Sequence, residues 1–132
     1  MHGDAFNEGP RQKAYLMGGT GIVKFPVSTQ VREAQQFFNQ GVGQLHGFWY
    51  FEAERSFRQV AALDTNCVMA HWGMALANLN NAKRAKEFIK LADQRKAEVS
   101  PRERMWIEAY SKYWSETAAD EKRSEQQDKN RR

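Results

Sequence analysis

Residues 72–79 read WGMALANL, a large aromatic followed after three positions by an alanine and after seven by a leucine. The same large, small, large order stands 34 residues earlier in FNQGVGQL (38–45) as Phe38, Gly41 and Leu45, and 34 residues later in WIEAYSKY (106–113) as Trp106, Ala109 and Tyr113. Residues at i, i+3 and i+7 share one face of a helix, so each octet reads as an apolar stripe whose small residue admits a second helix at close range. One spacing within the segment and one between segments is the mark of a stacked repeat, in which a unit buries its face only against its neighbours.

The second helix of the first unit lies in FEAERSFRQVAALDTNC (51–67), where Ala53, Phe57 and Val60, with Tyr50 before them, fall at helical spacing. Its counterpart carries Ala85, Ile89 and Ala92 in a register of 32 rather than 34, which predicts a tighter second turn, LNNAK against LHGFWYF. Capping residues mark the starts. Ser28 or Thr29 opens the first helix after the extended Phe25-Pro26-Val27, and Asp64, Thr65 or Asn66 opens the third. Ser100-Pro101-Arg102-Glu103 combines an N-cap serine, a first-turn proline and a glutamate placed to close a capping box. The spacing predicts helices over 30–46, 50–64, 67–79, 82–98 and 101–117 and no strand.

These units resemble the tetratricopeptide repeat (TPR) family, whose 34-residue helix-turn-helix modules carry a small residue in the first helix, an alanine early in the second and an aromatic four residues later. Gly41, Ala53, Phe57, Leu63 and Asp64 stand where that pattern places them; Thr65 replaces its proline and Val60 an alanine. The second unit fits through Ala75 and Ala85, and the third has only its first helix. Residues 25–81 are similar to bacterial repeat proteins in which comparable units begin a longer chain, sometimes behind an export signal. The resemblance implies an all-α, right-handed superhelix of stacked hairpins, about two and a half repeats, over residues 29–117. An irregular lead-in (1–28) would precede it, and a polar tail (118–132), disordered or a frayed helical extension, would follow.

Composition bounds the remaining options. At 132 residues, 41% hydrophobic and 27% charged, the chain reads as one soluble globular domain. One cysteine, Cys67, rules out an internal disulfide. No apolar run approaches the roughly 20 residues of a membrane span, and the opening residues read as no export signal. The chain as written reads as cytoplasmic, or as exported if a leader lies upstream. The net charge of +4 resides in Lys83 to Arg104, where eight basic residues face four acidic ones. Such a stripe suits a phosphate backbone or an anionic surface, although charge runs of mixed sign are usually solvated helix faces.

The resemblance also implies where a partner would bind, on the concave face lined by the first helix of each unit. Gln35, Phe38, Val42 and Leu45 or His46 would line it in the first unit, and Met69, Trp72, Leu76 and Asn80 in the second. These are mostly apolar, so they cannot hold a terminal carboxylate as the lysine and asparagine of chaperone-binding members do. A hydrophobic peptide, a helix or a neighbouring domain, including the rest of a longer chain, suits the groove better. The simpler role for Phe38 and Trp72 is packing within the stack. Phe48, Trp49, Tyr50 and Phe51 crowd the first turn, which cannot bury all four on one side. They form a candidate contact patch unless the lead-in, with Phe6, Tyr15, Leu16, Ile22 and Phe25, folds back over them.

Other chemistry finds little footing. Cys67 and His71, four apart on a helix, are two ligands where a metal needs three or four. GGTGIVK (18–24) lacks the lysine-serine or lysine-threonine ending of a phosphate loop and reads as a turn. Neither a nucleophile with a base nor a pair of converging carboxylates emerges. The sequence therefore points to a protein-interaction scaffold without enzymatic activity, metal or cofactor, with nucleic-acid binding through the Lys83 to Arg104 stripe as the alternative.

Overall fold

The computed structural model describes residues 23–131. Among them the fold is all-helical: α1 (Arg32–His46), α2 (Tyr50–Leu63), α3 (Met69–Ala77), α4 (Ala82–Gln94), a short 3-10 turn (Lys96–Glu98) and α5 (Pro101–Arg131). Hairpin α1–α2 packs through α2 on α3, hairpin α3–α4 packs on α5, and α1, α3 and α5 lie side by side. The helices follow the sequence expectation in number and order and differ from it at their ends, most of all in α5, which runs on to Arg131 past the expected end at 117.

First, neither Ser28 nor Thr29 caps α1, whose flanking residue is Val31. Thr29 Oγ1 instead accepts the Val31 amide at 3.2 Å and lies 2.5 Å from an Asp64 carboxylate oxygen, tying the entry of α1 to the end of α2. Second, α3 starts and stops two residues inside the range expected for it. At its end the Asn78 side chain donates to the Met74 carbonyl at 2.8 Å, while its backbone amide takes Ala75 instead, so the side chain competes with the helical ladder and ends it. Third, α4 ends at Gln94 and hands over to the 3-10 turn. The start of α5 is as read: Glu103 N–H lies 3.3 Å from Ser100 Oγ, and Ser100 N–H reaches back to Glu103 Oε1 at 3.1 Å. The polar tail continues α5 as helix, with residues 119–130 exposed and no part in the core.

The core is organised around Phe57, which is completely buried. Its ring wedges α2 between α1 and α3: a Cβ added at Gly41 would meet it at 2.7 Å, and one added at Gly73 at 2.4 Å. Those two glycines are what let three helices converge on one aromatic ring. Ala75, Ala85, Ala92 and Ile107 extend the buried layer through the second hairpin to α5.

Polar groups sit inside as well. Between α1 and α2, Ser56 Oγ donates to Gln44 Oε1 at 2.7 Å and accepts from Gln40 Nε2 at 3.0 Å. Glu54, 4% exposed, joins α2 to the second hairpin. Arg84 Nη2 reaches its two oxygens at 2.9 and 3.0 Å, Asn78 Nδ2 donates at 2.7 Å, and Arg58 pairs with it from the next turn of α2. A buried carboxylate is tolerated here because each charge meets a partner.

Candidate peptide-binding face

On the side where α1, α3 and α5 lie together, Phe38, Trp72 and Trp106 stand in a row. Phe38 and Trp72 are stacked with centroids 6.3 Å apart, and Trp106 meets Trp72 edge-on at 5.6 Å. The three positions separated by 34 residues in sequence are thus in contact in space. Phe38 and Trp72 are buried, and Trp106 is 39% exposed.

An extended segment of the chain itself, residues 23–28, lies across this row. The Phe25 ring sits 5.6 Å from Phe38, 5.5 Å from Trp72 and 5.3 Å from Trp106, with the Arg102 guanidinium over it at 5.7 Å. Edge and stacked contacts at these distances satisfy the ring quadrupoles, and the cation adds to them. Burial along the segment alternates with period two: Val23, Phe25 and Val27 are half-buried, while Lys24, Pro26 and Ser28 are exposed. That is the pattern of a single extended strand laid on a surface.

Side chains of the helices bond the segment's backbone. Gln35 Nε2 donates to the Phe25 carbonyl at 2.8 Å, and Gln35 Oε1 accepts the Val27 amide at 3.0 Å, so one side-chain amide pairs with the i and i+2 groups of an extended chain as a neighbouring strand would. Asn39 Oδ1 accepts the Phe25 amide at 2.9 Å and is steadied by Gln35 Nε2 at the same distance. Pro26 faces outward with no N–H to satisfy. Beyond it, the Ser28 amide donates to Glu103 Oε2 at 2.9 Å and the Ser28 hydroxyl to Glu103 Oε1. Burial acts to raise the Glu103 pKa, but the bonds from Ser28 and Ser100 outweigh it and hold the carboxyl below the usual glutamate range.

Of the residues expected to line a groove, Gln35, Phe38 and Trp72 converge on Phe25. Val42 and Met69 are buried in the helical core, Leu76 is half-buried against it, His46 is exposed at the end of α1, and Asn80 is exposed in the turn between α3 and α4. Asn39, Trp106, Arg102 and Glu103 belong to the face and were not anticipated there. Their signal was available: Gln35 and Asn39 are polar residues four apart beside an apolar stripe, and V-K-F-P-V-S alternates.

The aromatic turn lies elsewhere. Phe48 and Trp49 are 75% and 54% exposed, and Phe51 is exposed as well. Tyr50 is half-buried, with its ring 6.3 Å from that of Phe48. Phe25, expected among the residues that would cover this patch, is taken up by the α1–α3–α5 face instead; Phe6, Tyr15, Leu16 and Ile22 fall outside the described residues.

Within the basic stripe, Arg84 pairs with Glu54, Arg95 with Glu98, and Lys96 with Asp93 and Glu108. A cleft of about 290 Å³ between α4 and α5 sets Lys86 and Lys90 beside Asp93, so it offers no uniform positive field. Cys67 is buried, and that burial is the main cause pushing its thiol up to about 11, which leaves it protonated and unreactive near neutrality. His71, half-buried four residues on, is held below its ordinary pKa by burial and by the Arg95 charge. Among the described residues no three His, Cys, Asp or Glu side chains group as a metal site, and no helix is long and apolar enough to cross a membrane.

No protein-family model, curated protein or solved structure matches this chain.

Proposed function

We propose that this chain is a TPR-like repeat module that binds an extended peptide segment of another protein along the α1–α3–α5 face. One observation carries the reading: the Gln35 side-chain amide pairs with the Phe25 carbonyl and the Val27 amide of an extended backbone, beside an aromatic row that takes the Phe25 side chain. Backbone pairing supplies affinity without regard to sequence, and the aromatic seat supplies selectivity, as in other recognition of extended peptides. The repeat assignment is supported by the contact of Phe38, Trp72 and Trp106 at their common period and by the close approach of Phe57 to Gly41. The neutralisation of Arg84, Arg95 and Lys96 by neighbouring carboxylates favours this reading over nucleic-acid binding.

A displayed library of random peptides tests it, selected on the full chain carrying Phe25→Asp, which takes the ring out of the aromatic row and so vacates the side-chain seat. The expected result is enrichment of peptides with one central aromatic residue, and loss of their binding when Gln35→Ala is added. Absence of enrichment in a variant of unchanged helicity, or enrichment indifferent to Gln35, would overturn the reading.

A further inference from the structure

Resting on that reading, we infer that residues 23–28 are an internal occupant of the peptide seat: they display the ligand's own chemistry, and a partner bearing the same pattern must displace them to bind. The segment is seated as a ligand is, by side-chain amides on its backbone and a ring in an aromatic site. It is also shallowly held. Phe38 and Trp72 beneath it are at most 5% exposed, whereas Val23, Phe25 and Val27 are only partly buried. Apart from Thr29 to Val27, the bonds holding its backbone run to side chains of α1 and α5 and not to a continuous ladder. Partial burial and isolated hydrogen bonds place a segment towards the low end of local stability, so it can lift while the helices stay folded.

The seat specifies its ligand position by position. The first anchor is aromatic, because the Phe38, Trp72 and Trp106 rings surround it and Arg102 caps it. The next residue points outward and needs no N–H, so proline is accepted and a bulky polar residue tolerated. The third is aliphatic and must keep its N–H for Gln35 Oε1. The fourth is serine or threonine, since a hydroxyl and an amide there both donate to Glu103. The partner is therefore a protein segment of pattern aromatic, any, aliphatic, hydroxyl, held extended. An occupant tethered through a few residues competes at a high effective concentration, so the free chain presents a weakened site.

The test uses the labelled peptide VKFPVSTQ, identical to residues 23–30, titrated by fluorescence anisotropy onto the full chain. Wild type is compared with Phe25→Asp and with Val27→Pro; the latter deletes the N–H that Gln35 accepts without adding charge, and covers the case in which the first variant folds poorly. Helicity of each is checked by circular dichroism. The inference expects at least one folded variant to bind the peptide about tenfold or more tightly than wild type, the factor reflecting the fraction of seats closed by the tether. Equal affinity for wild type and folded variants would overturn the occupancy while leaving the peptide-binding face intact. So would selection of library peptides by Phe25→Asp with no binding of VKFPVSTQ, because the segment would then not carry the ligand pattern. Binding of neither class by folded variants would overturn both the inference and the reading beneath it.

Discussion

The two hairpin turns of this molecule reverse the usual placement of polar and apolar residues. The first, Gly47-Phe48-Trp49, is aromatic and faces solvent; the second is built of asparagines, and Asn78 is 7% exposed. In the first, α1 closes with the Phe48 amide on the Leu45 carbonyl at 3.0 Å and the Trp49 amide on Gln44 at 2.8 Å, a Schellman ending with phenylalanine at φ 62° where glycine is usual. In the second, Asn78 bonds Glu54 and Arg84, and Asn81 caps α4 through the Arg84 amide. Hydrogen-bond satisfaction, not polarity, decides what is buried: a carboxylate with three partners goes inside, and two large rings for which the turn offers no cover stay out.

This contrast can be broken most severely at Glu54. Glu54→Leu leaves Arg58 and Arg84 without their carboxylate and should cost about 3–5 kcal/mol in urea unfolding. A cost near zero would mean that the second hairpin is not held by this network. Next, Gly73→Ala forces a methyl group into the Phe57 ring and should cost about 1–3 kcal/mol despite the better helix propensity of alanine. A stabilised variant would contradict the wedge. At the aromatic turn the sign reverses: Phe48→Gly removes the left-handed strain and little buried surface, and should stabilise by about 1 kcal/mol. The smallest effect is expected from pH. Because Glu103 titrates lower folded than unfolded, its contribution is complete above the ordinary glutamate pKa and is lost as pH falls through that value towards the folded one. Wild type should lose more stability than Glu103→Gln over that descent, and parallel losses would contradict the bonding described.

The helices were legible because their signals are local and redundant. Period, caps and small residues all agree, as in Ser100 to Glu103, whose capping box could be written down from four letters. The shared 34-residue register also placed Phe38 and Trp72 on one face, where both rings meet Phe25. What escaped was long-range. That Ser28 would bond Glu103, 75 residues away, in place of capping the helix beside it, depends on where α5 docks. Gly73 carries no special local signature; it is required only because Phe57 arrives from another helix. The segment around Phe25 read correctly as extended, but an extended segment can lie against any exposed apolar surface, and its sequence alone did not separate the aromatic row from the aromatic turn.

The α1–α3–α5 face holds an extended backbone through Gln35 and Asn39, and amide hydrogen exchange read residue by residue by NMR tests this most directly. The amides of Phe25 and Val27 should exchange at least about tenfold more slowly than in an unstructured chain, and Gln35→Ala should abolish the protection at Val27 while the amides of α2 and α3 keep theirs. Unprotected Phe25 and Val27 amides in the wild-type chain, or protection that survives the loss of Gln35, would contradict it.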